Sequence, residues 1–117
     1  MIKFKSLKKS ENFIRILKKK KLNTKYFTIY FDKNLKNTGE YLNISFVMKK
    51  KIGNAVIRNK IKRKLRSAVQ KISKQKNLID LGFTYVIFGK NSTYKDKFSL
   101  ILSEASVTFK KIKQMQS

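Results

Sequence analysis

The sequence predicts an α+β fold, a single-domain two-layer sandwich in which a small sheet is covered by three helices. The expected order is helix, two strands, helix, strand, helix. Three observations support it: apolar residues recur at helical spacing in three segments, aromatic and β-branched residues form three strand-like segments, and the chain has 117 residues. That length suits one domain and is short for two. We therefore expect residues 1–117 to form one unit around one core.

The first helix is expected to begin at Ser10, whose side chain can cap it, with Glu11 near its positive end. Its apolar side carries Phe13, Ile14 and Leu17. The helix should end in the run Lys18-Lys19-Lys20-Lys21. That run fits either a solvated helix end or an accessory phosphate contact.

Two strands are predicted next, over 26–31 and 42–48, with a turn rich in Asn and Gly over 32–40 between them. Alternation in the first strand separates Phe27, Ile29 and Phe31 on one face from Tyr26, Thr28 and Tyr30 on the other. In the second strand, Leu42, Ile44, Phe46 and Met48 alternate with Asn43, Ser45 and Val47. We expect these strands to pair as a hairpin with one buried face and one polar, aromatic face.

The second half of the chain contains the longest predicted helix, over 55–73, which follows a break at Gly53. The nearly continuous apolar run from Phe83 to Phe88 predicts a central strand. A last helix should follow the capping side chains of 91–93, with Asp96 in its first turn. Its core-facing residues are Phe98, Ile101, Leu102, Ala105 and Phe109.

Composition narrows the function. Lys and Arg number 30 against 6 Asp and Glu, a net charge of +24, so the natural partner is a polyanion. Cys and His are absent and the six carboxylates are scattered, so we expect no catalytic residue and no metal site in the protein. No apolar run approaches the roughly 20 residues of a membrane span. No targeting segment is visible, so we expect a cytoplasmic protein without a membrane partner.

The predicted helix over 55–73 combines a core stripe with a basic face. The stripe comprises Ile57, Ile61, Leu65, Ala68, Val69 and Ile72. In the neighbouring sector, Arg58, Lys62 and Arg66 are four residues apart and therefore form a row with a spacing of about 6 Å. That spacing resembles the distance between phosphates along one strand, and Asn59 beside the row can reach a base edge or a 2′-hydroxyl. A solvated cationic face is the alternative, but no Glu on this helix pairs with these charges.

Residues 50–66 read KKIGNAVIRNKIKRKLR. They closely resemble the signature of bacterial ribonuclease P protein subunits, loosely K-K-x-G-x-A-V-x-R-N-x-x-K-R-x-x-R. The similarity extends upstream through Leu7-Lys8-Lys9, Glu11 and Phe13 and through the two strands. It fades after Phe88, where only Thr93-Tyr94 and a basic helical tail are similar.

The resemblance implies a division of labour. In that family the RNA subunit is the catalyst and uses Mg²⁺ to hydrolyse the phosphodiester bond at the 5′ end of the mature tRNA sequence. The protein is a non-catalytic subunit whose partners are the ribonuclease P RNA and precursor tRNA, with no obligate protein partner evident. The family also implies a rare left-handed βαβ crossover around the main helix. Residues 1–117 are accordingly expected to be one RNA-binding domain.

Carried over by position, the implied RNA contacts are Lys50, Lys51, Asn54, Arg58, Asn59, Lys60, Lys62, Arg63 and Arg66. The single-stranded 5′ leader of precursor tRNA is expected in a cleft between the first helix and the sheet, at Phe13, Leu17 and Tyr30. Two positions depart from the family pattern. Lys60 replaces the second arginine of an R-N-R triplet, and Leu17 replaces a residue that is usually aromatic, so apolar contact remains there without base stacking.

Three other interpretations fit the composition. A ribosomal protein or general RNA chaperone is the main alternative, because basic charge on a small core suits either. A stand-alone metal-dependent nuclease is disfavoured by the scattered carboxylates. A membrane-surface role ranks last, because the aromatic strands indicate a globular core.

Overall fold

The protein is built on a five-stranded mixed sheet in a computed structural model that describes residues 2–7, 10–33, 41–75 and 77–115. The strands are β1 (Lys3–Lys5), β2 (Lys20–Asn23), β3 (Phe27–Lys33), β4 (Tyr41–Val47) and β5 (Phe83–Gly89). The helices are α1 (Ser10–Ile16), α2 (Ala55–Ser73), α3 (Ser92–Lys95) and α4 (Phe98–Gln114), and a 3₁₀ turn over Lys50–Ile52 precedes α2. The predicted α+β class is confirmed, with more elements than expected.

β5 is the central strand, in the order β1-β4-β5-β3-β2. It pairs antiparallel with β3 and parallel with β4, so the predicted hairpin between the strands at 26–31 and 42–48 is wrong. The physical reason is burial: β5 is a nearly continuous apolar run, and the central position buries all of its residues except Phe88, which is half-buried. The parallel pairing requires a crossover, which α2 supplies between β4 and β5. The left-handed sense of that crossover stays a prediction.

Two short edge strands were not predicted. β1 pairs parallel with β4, and β2 pairs antiparallel with β3. Lys20 and Lys21 therefore lie in a strand, which corrects the expectation of a helix end or loop for that part of the lysine run. Lysines suit this position because charged side chains discourage further strand pairing at an open edge. The turn predicted over 32–40 is wrong at its start, because Asp32 and Lys33 still belong to β3. Residues 34–40, Lys8 and Lys9, and the side chain of Ser10 lie outside the described residues.

The main core lies between α2, α4 and one face of the sheet. The predicted stripe of α2 is confirmed, with Ile61, Leu65, Ala68, Val69 and Ile72 buried and Ile57 half-buried. On α4, Ile101, Ala105 and Phe109 are buried as expected, whereas Phe98 and Leu102 are half-buried. Two expectations fail at the ends of elements. Tyr26 precedes β3 and is buried in the core, not on the polar face, and Asp96 ends α3 instead of opening α4.

The opposite face of the sheet, called here the outer face, carries Thr28, Tyr30, Ser45, Val86 and Phe88. The chain after β1 crosses this face, because the backbone N–H of Leu7 donates to Ser45 Oγ at 2.9 Å. α1 then lies against β3, with Ile16 buried outside the main core. The outer face is thus only partly covered.

Gly89 lies where α2 crosses the end of β5. A Cβ there would lie 2.6 Å from Met48 Sδ and 2.8 Å from Ile61 Cγ2. Gly89→Ala is therefore expected to lower the free energy of unfolding by about 1–3 kcal/mol through overpacking, measured by urea denaturation. Gly82→Ala is the control, because its Cβ meets only the Asp80 carboxylate, at 3.1 Å. Equal losses in the two variants would contradict the steric argument.

Candidate nucleic-acid interface

The row of Arg58, Lys62 and Arg66 on α2 borders a groove of about 290 Å³, called here the α2 groove. Its lining residues are Phe46, Met48, Ala55, Arg58, Asn59 and Lys62. The Nε atom of Arg58 is buried there with no hydrogen-bond partner among the described residues. Arg58 as a whole is only half-buried and lines the groove, so a phosphate or base oxygen there can meet the accessible part of its side chain.

The far end of the row is oriented by β1. The Arg66 guanidinium lies 4.9 Å above the centroid of the Phe4 ring. Phe4 in turn stacks on Phe46, with ring centroids 6.4 Å apart. Arg66 is thereby held on the same side of α2 as Arg58, with exposed Lys62 between them. Arg63 is also exposed on this helix.

Lys60 and Lys64 contact α3 instead. Lys60 Nζ lies 5.0 Å from the centroid of the Tyr94 ring, so the structure separates Lys60 from the row of Arg58, Lys62 and Arg66. Lys64 Nζ donates to three backbone carbonyls, those of Thr93, Tyr94 and Asp96, at 3.1, 3.1 and 3.0 Å. A cation at a helix C-terminus is favourable. Lys64 therefore binds α3 to α2. Its position in a basic run did not predict this structural role.

The entrance to α2 holds three more of the expected RNA contacts. Asn54 is the N-cap, and its Oδ1 accepts a hydrogen bond from Ile57 N at 3.0 Å. That bond stabilises the first turn of the basic helix. Lys50 and Lys51 lie exposed in the preceding 3₁₀ turn, and Asn59 is exposed one turn into α2.

The outer face holds the expected cleft residues. Phe13 is half-buried on α1, Leu17 is 38% exposed in the turn after it, and Tyr30 is half-buried on β3. Since α1 lies against β3, the structure brings these side chains to one side of the sheet, away from the main core. The alternation that placed Tyr30 on the less apolar face is confirmed.

Phe88, which the sequence predicted only as the end of a strand, and two lysines complete this surface. Phe88 meets Tyr30 edge to face, with centroids 5.6 Å apart and planes at 72°. Lys21 Nζ lies 5.9 Å above the Tyr30 ring, and Lys49 Nζ lies 5.6 Å above the Phe88 ring. A cation over an exposed ring contributes about 0.5–1 kcal/mol, whereas a stacked base contributes about 1–3 kcal/mol. A nucleobase can therefore displace each lysine from its ring and leave the ammonium for a phosphate.

A second groove, of about 350 Å³, adjoins this aromatic pair and is called here the Phe88 groove. Its walls include Thr28, Lys49, Lys51, Phe88 and Lys90. Lysines 49 and 51 lie in the segment just before α2, so the cations of the helix entrance continue onto the outer face. Single-stranded RNA is well matched by such a combination of ring faces and cations.

Carboxylates have structural roles where their contacts are described. The hydroxyl of Tyr26 donates to Asp96 Oδ2 at 2.7 Å, and Lys25 Nζ lies 3.4 Å from the same oxygen. The hydrogen bond from Tyr26, with Lys25 adding to it, lowers the pKa of Asp96, and the same bond raises the pKa of Tyr26. Burial raises the pKa of Tyr85, whose hydroxyl donates to the backbone oxygen of Asp80 at 2.6 Å.

Within 2–7, 10–33, 41–75 and 77–115, no three His, Cys, Asp or Glu side chains lie close enough to hold a metal ion. None of the helices described there has the length and apolar character needed to cross a bilayer.

The model of the Ribonuclease P family matches residues 1–113 of this chain. The chain belongs to the ribonuclease P protein family. The ribonuclease P protein component of Carboxydothermus hydrogenoformans is 32% identical over 117 residues, which cover 97% of this chain and 96% of that protein. The Bacillus cereus component is 38% identical over 102 residues, or 81% and 84% of the two chains. The ribonuclease P protein from Thermotoga maritima superposes with a TM-score of 0.75 at 26% identity, covering 92% of this chain and 96% of that one.

Family membership confirms the resemblance drawn from residues 50–66 and agrees with the α+β fold. As a ribonuclease P protein, the chain is a component of a ribonucleoprotein endoribonuclease that acts in tRNA processing. Its partner is the ribonuclease P RNA.

Proposed function

We propose that the chain binds the catalytic RNA of ribonuclease P through α2 and holds the 5′ leader of precursor tRNA against the outer face. The leader is then removed by Mg²⁺-dependent hydrolysis, which leaves the mature 5′ end of the tRNA. One observation carries this proposal: the chain passes from Met48, which lines the α2 groove, directly to Lys49, which lines the Phe88 groove, so one segment joins the two surfaces. A subunit that must touch two RNAs at once needs such an arrangement.

The proposed contacts to the catalytic RNA are those that the family signature implied. They are Lys50, Lys51, Asn54, Arg58, Asn59, Lys60, Lys62, Arg63 and Arg66. Support is strongest for Arg58, which lines the α2 groove, and for Arg66, which is oriented by Phe4. It is weakest for Lys60, which lies against Tyr94, and for Asn54, whose amide oxygen caps α2.

The proposed leader site comprises Phe13, Leu17 and Tyr30. Their gathering between α1 and β3 supports it, as does the lysine above the Tyr30 ring. Apolar and aromatic contacts of this kind accept any base, which suits a leader that differs from one tRNA to the next.

The protein's own contribution is charge neutralisation and positioning. A +24 protein lowers the repulsion between two polyanions, the catalytic RNA and its substrate. The Mg²⁺ ions, and the chemistry, belong to the RNA in this proposal.

Reconstitution with a ribonuclease P RNA tests the proposal. At low Mg²⁺, adding the protein is expected to raise the rate of precursor tRNA cleavage at the mature 5′ end, because its cations replace part of the ionic screening that the RNA needs. The matched comparison is binding of mature tRNA without a leader, whose affinity should change less than that of the precursor. An unchanged cleavage rate at every Mg²⁺ concentration would overturn the assignment.

A further inference from the structure

Phe88 is a large aromatic residue whose ring lies outside the main core. It is half-buried on the outer face and packs neither in nor against the main core. Its described ring contacts are Tyr30 and the ammonium of Lys49. The ring also forms part of the Phe88 groove, beside Lys51 and Lys90. An aromatic side chain placed among cations on an open face is a stacking surface for a nucleobase.

Phe88 also adds an aromatic ring to an outer face on which Leu17 carries none. Leu17, at the edge of the expected cleft, offers apolar contact without a ring. The ring of Phe88, on the neighbouring strand, lies 5.6 Å from the ring of Tyr30 and gives it an aromatic contact. The fold thus supplies a second ring from β5 beside Tyr30, with Lys49 over that second ring.

We propose that Phe88 is a stacking position for one base of the 5′ leader, next to the base held by Tyr30, with Lys49 on the adjoining phosphate. This inference rests on the proposed leader site and deepens it. Because the two ring planes make an angle of 72°, a strand that stacks on both rings turns between them. The turn directs the following phosphates into the Phe88 groove, towards Lys51 and Lys90.

The test uses the reconstituted holoenzyme and precursor tRNAs whose leaders are lengthened one nucleotide at a time. Phe88→Leu keeps an apolar side chain and removes the ring. It is expected to weaken precursor binding by about tenfold, but only once the leader is long enough to reach β5. Phe88→Tyr keeps the ring and should restore the affinity. A loss that is equal for leaderless tRNA, or that Phe88→Tyr does not restore, would overturn the inference.

Abasic substitutions in the leader identify which base stacks on Phe88. Walking one abasic nucleotide along the leader should reveal two adjacent sensitive positions with the wild-type protein. Phe88→Leu should abolish sensitivity at one of them and Tyr30→Leu at the other. A Phe88→Leu protein that keeps both sensitive positions would refute a stacking role.

Tyr30→Leu separates this inference from the proposed function. If Tyr30→Leu weakens leader-dependent binding and Phe88→Leu does not, the leader site stands and the inference alone fails. If the wild-type holoenzyme shows no dependence on the leader at all, the proposed function fails. Unchanged urea unfolding and unchanged affinity for the ribonuclease P RNA establish that Phe88→Leu is folded, as its half-exposed position leads us to expect.

Discussion

Replacing Arg58, Lys62 and Arg66 together with Ala is expected to weaken binding of the ribonuclease P RNA on the order of 100-fold at moderate salt. Each phosphate contact releases close to one counterion from the RNA, and this release favours binding. Losing a contact therefore lowers the number of released counterions by about one. The slope of log affinity against log salt should therefore become shallower by about two to three units. Affinities measured over a range of KCl concentrations give that slope directly.

The matched control removes the same charge elsewhere. Lys97, Lys110 and Lys111 are exposed residues at the start of α4 and near its end. Their combined replacement with Ala also lowers the net charge by three, yet it leaves the α2 groove intact. A salt slope that falls equally in both triple variants would mean that α2 contributes only general charge and no defined contacts.

Leu65→Ala is expected to lower the free energy of unfolding by about 2–5 kcal/mol, because it leaves a cavity under α2. Leu65 is 1% exposed and belongs to the main core. Its side chain belongs to the buried stripe that borders the cationic row, and its truncation removes none of the three charges, so the row should survive in the folded protein. The variant should therefore unfold at much lower urea while its salt slope for RNA, measured under folding conditions, stays that of the wild type.

Leu100→Ala provides the comparison on a second helix. Leu100 is 50% exposed on α4, so its truncation is expected to cost less than about 1 kcal/mol. If Leu65→Ala flattened the salt slope as strongly as loss of the three cations, the packing of α2 and its RNA contacts would be one property and could not be altered separately.

The sequence alone was sufficient to predict α2. Its bounds, its buried stripe and the row beside that stripe follow from residues three and four apart, and the structure has the helix over Ala55–Ser73 as predicted. The same holds for the alternation of Phe27, Ile29 and Phe31 in β3. These features are local, because neighbours in the structure are close neighbours in the chain.

Features that join distant segments could not be predicted in this way. The hairpin prediction failed because pairing depends on β5, which follows β4 only after the whole of α2. The place of Phe88, with Lys49 over its ring, could not be predicted, because the register of β5 against β3 decides which ring lies beside Tyr30. The role of Lys64 depends on where α3 packs, and nothing in a run of lysines distinguishes the one that binds three carbonyl oxygens.

The central place of β5 has a consequence for synthesis of the chain. β3 and β4 leave the ribosome well before β5 (Phe83–Gly89), which lies between them in the folded sheet. Until β5 emerges, each of these two apolar strands has an edge without its partner strand. Open edges of this kind promote association between nascent chains. The high positive charge opposes it, since copies that each carry many lysines repel one another. The positive charge that favours RNA binding therefore also opposes association between chains whose sheet is still incomplete.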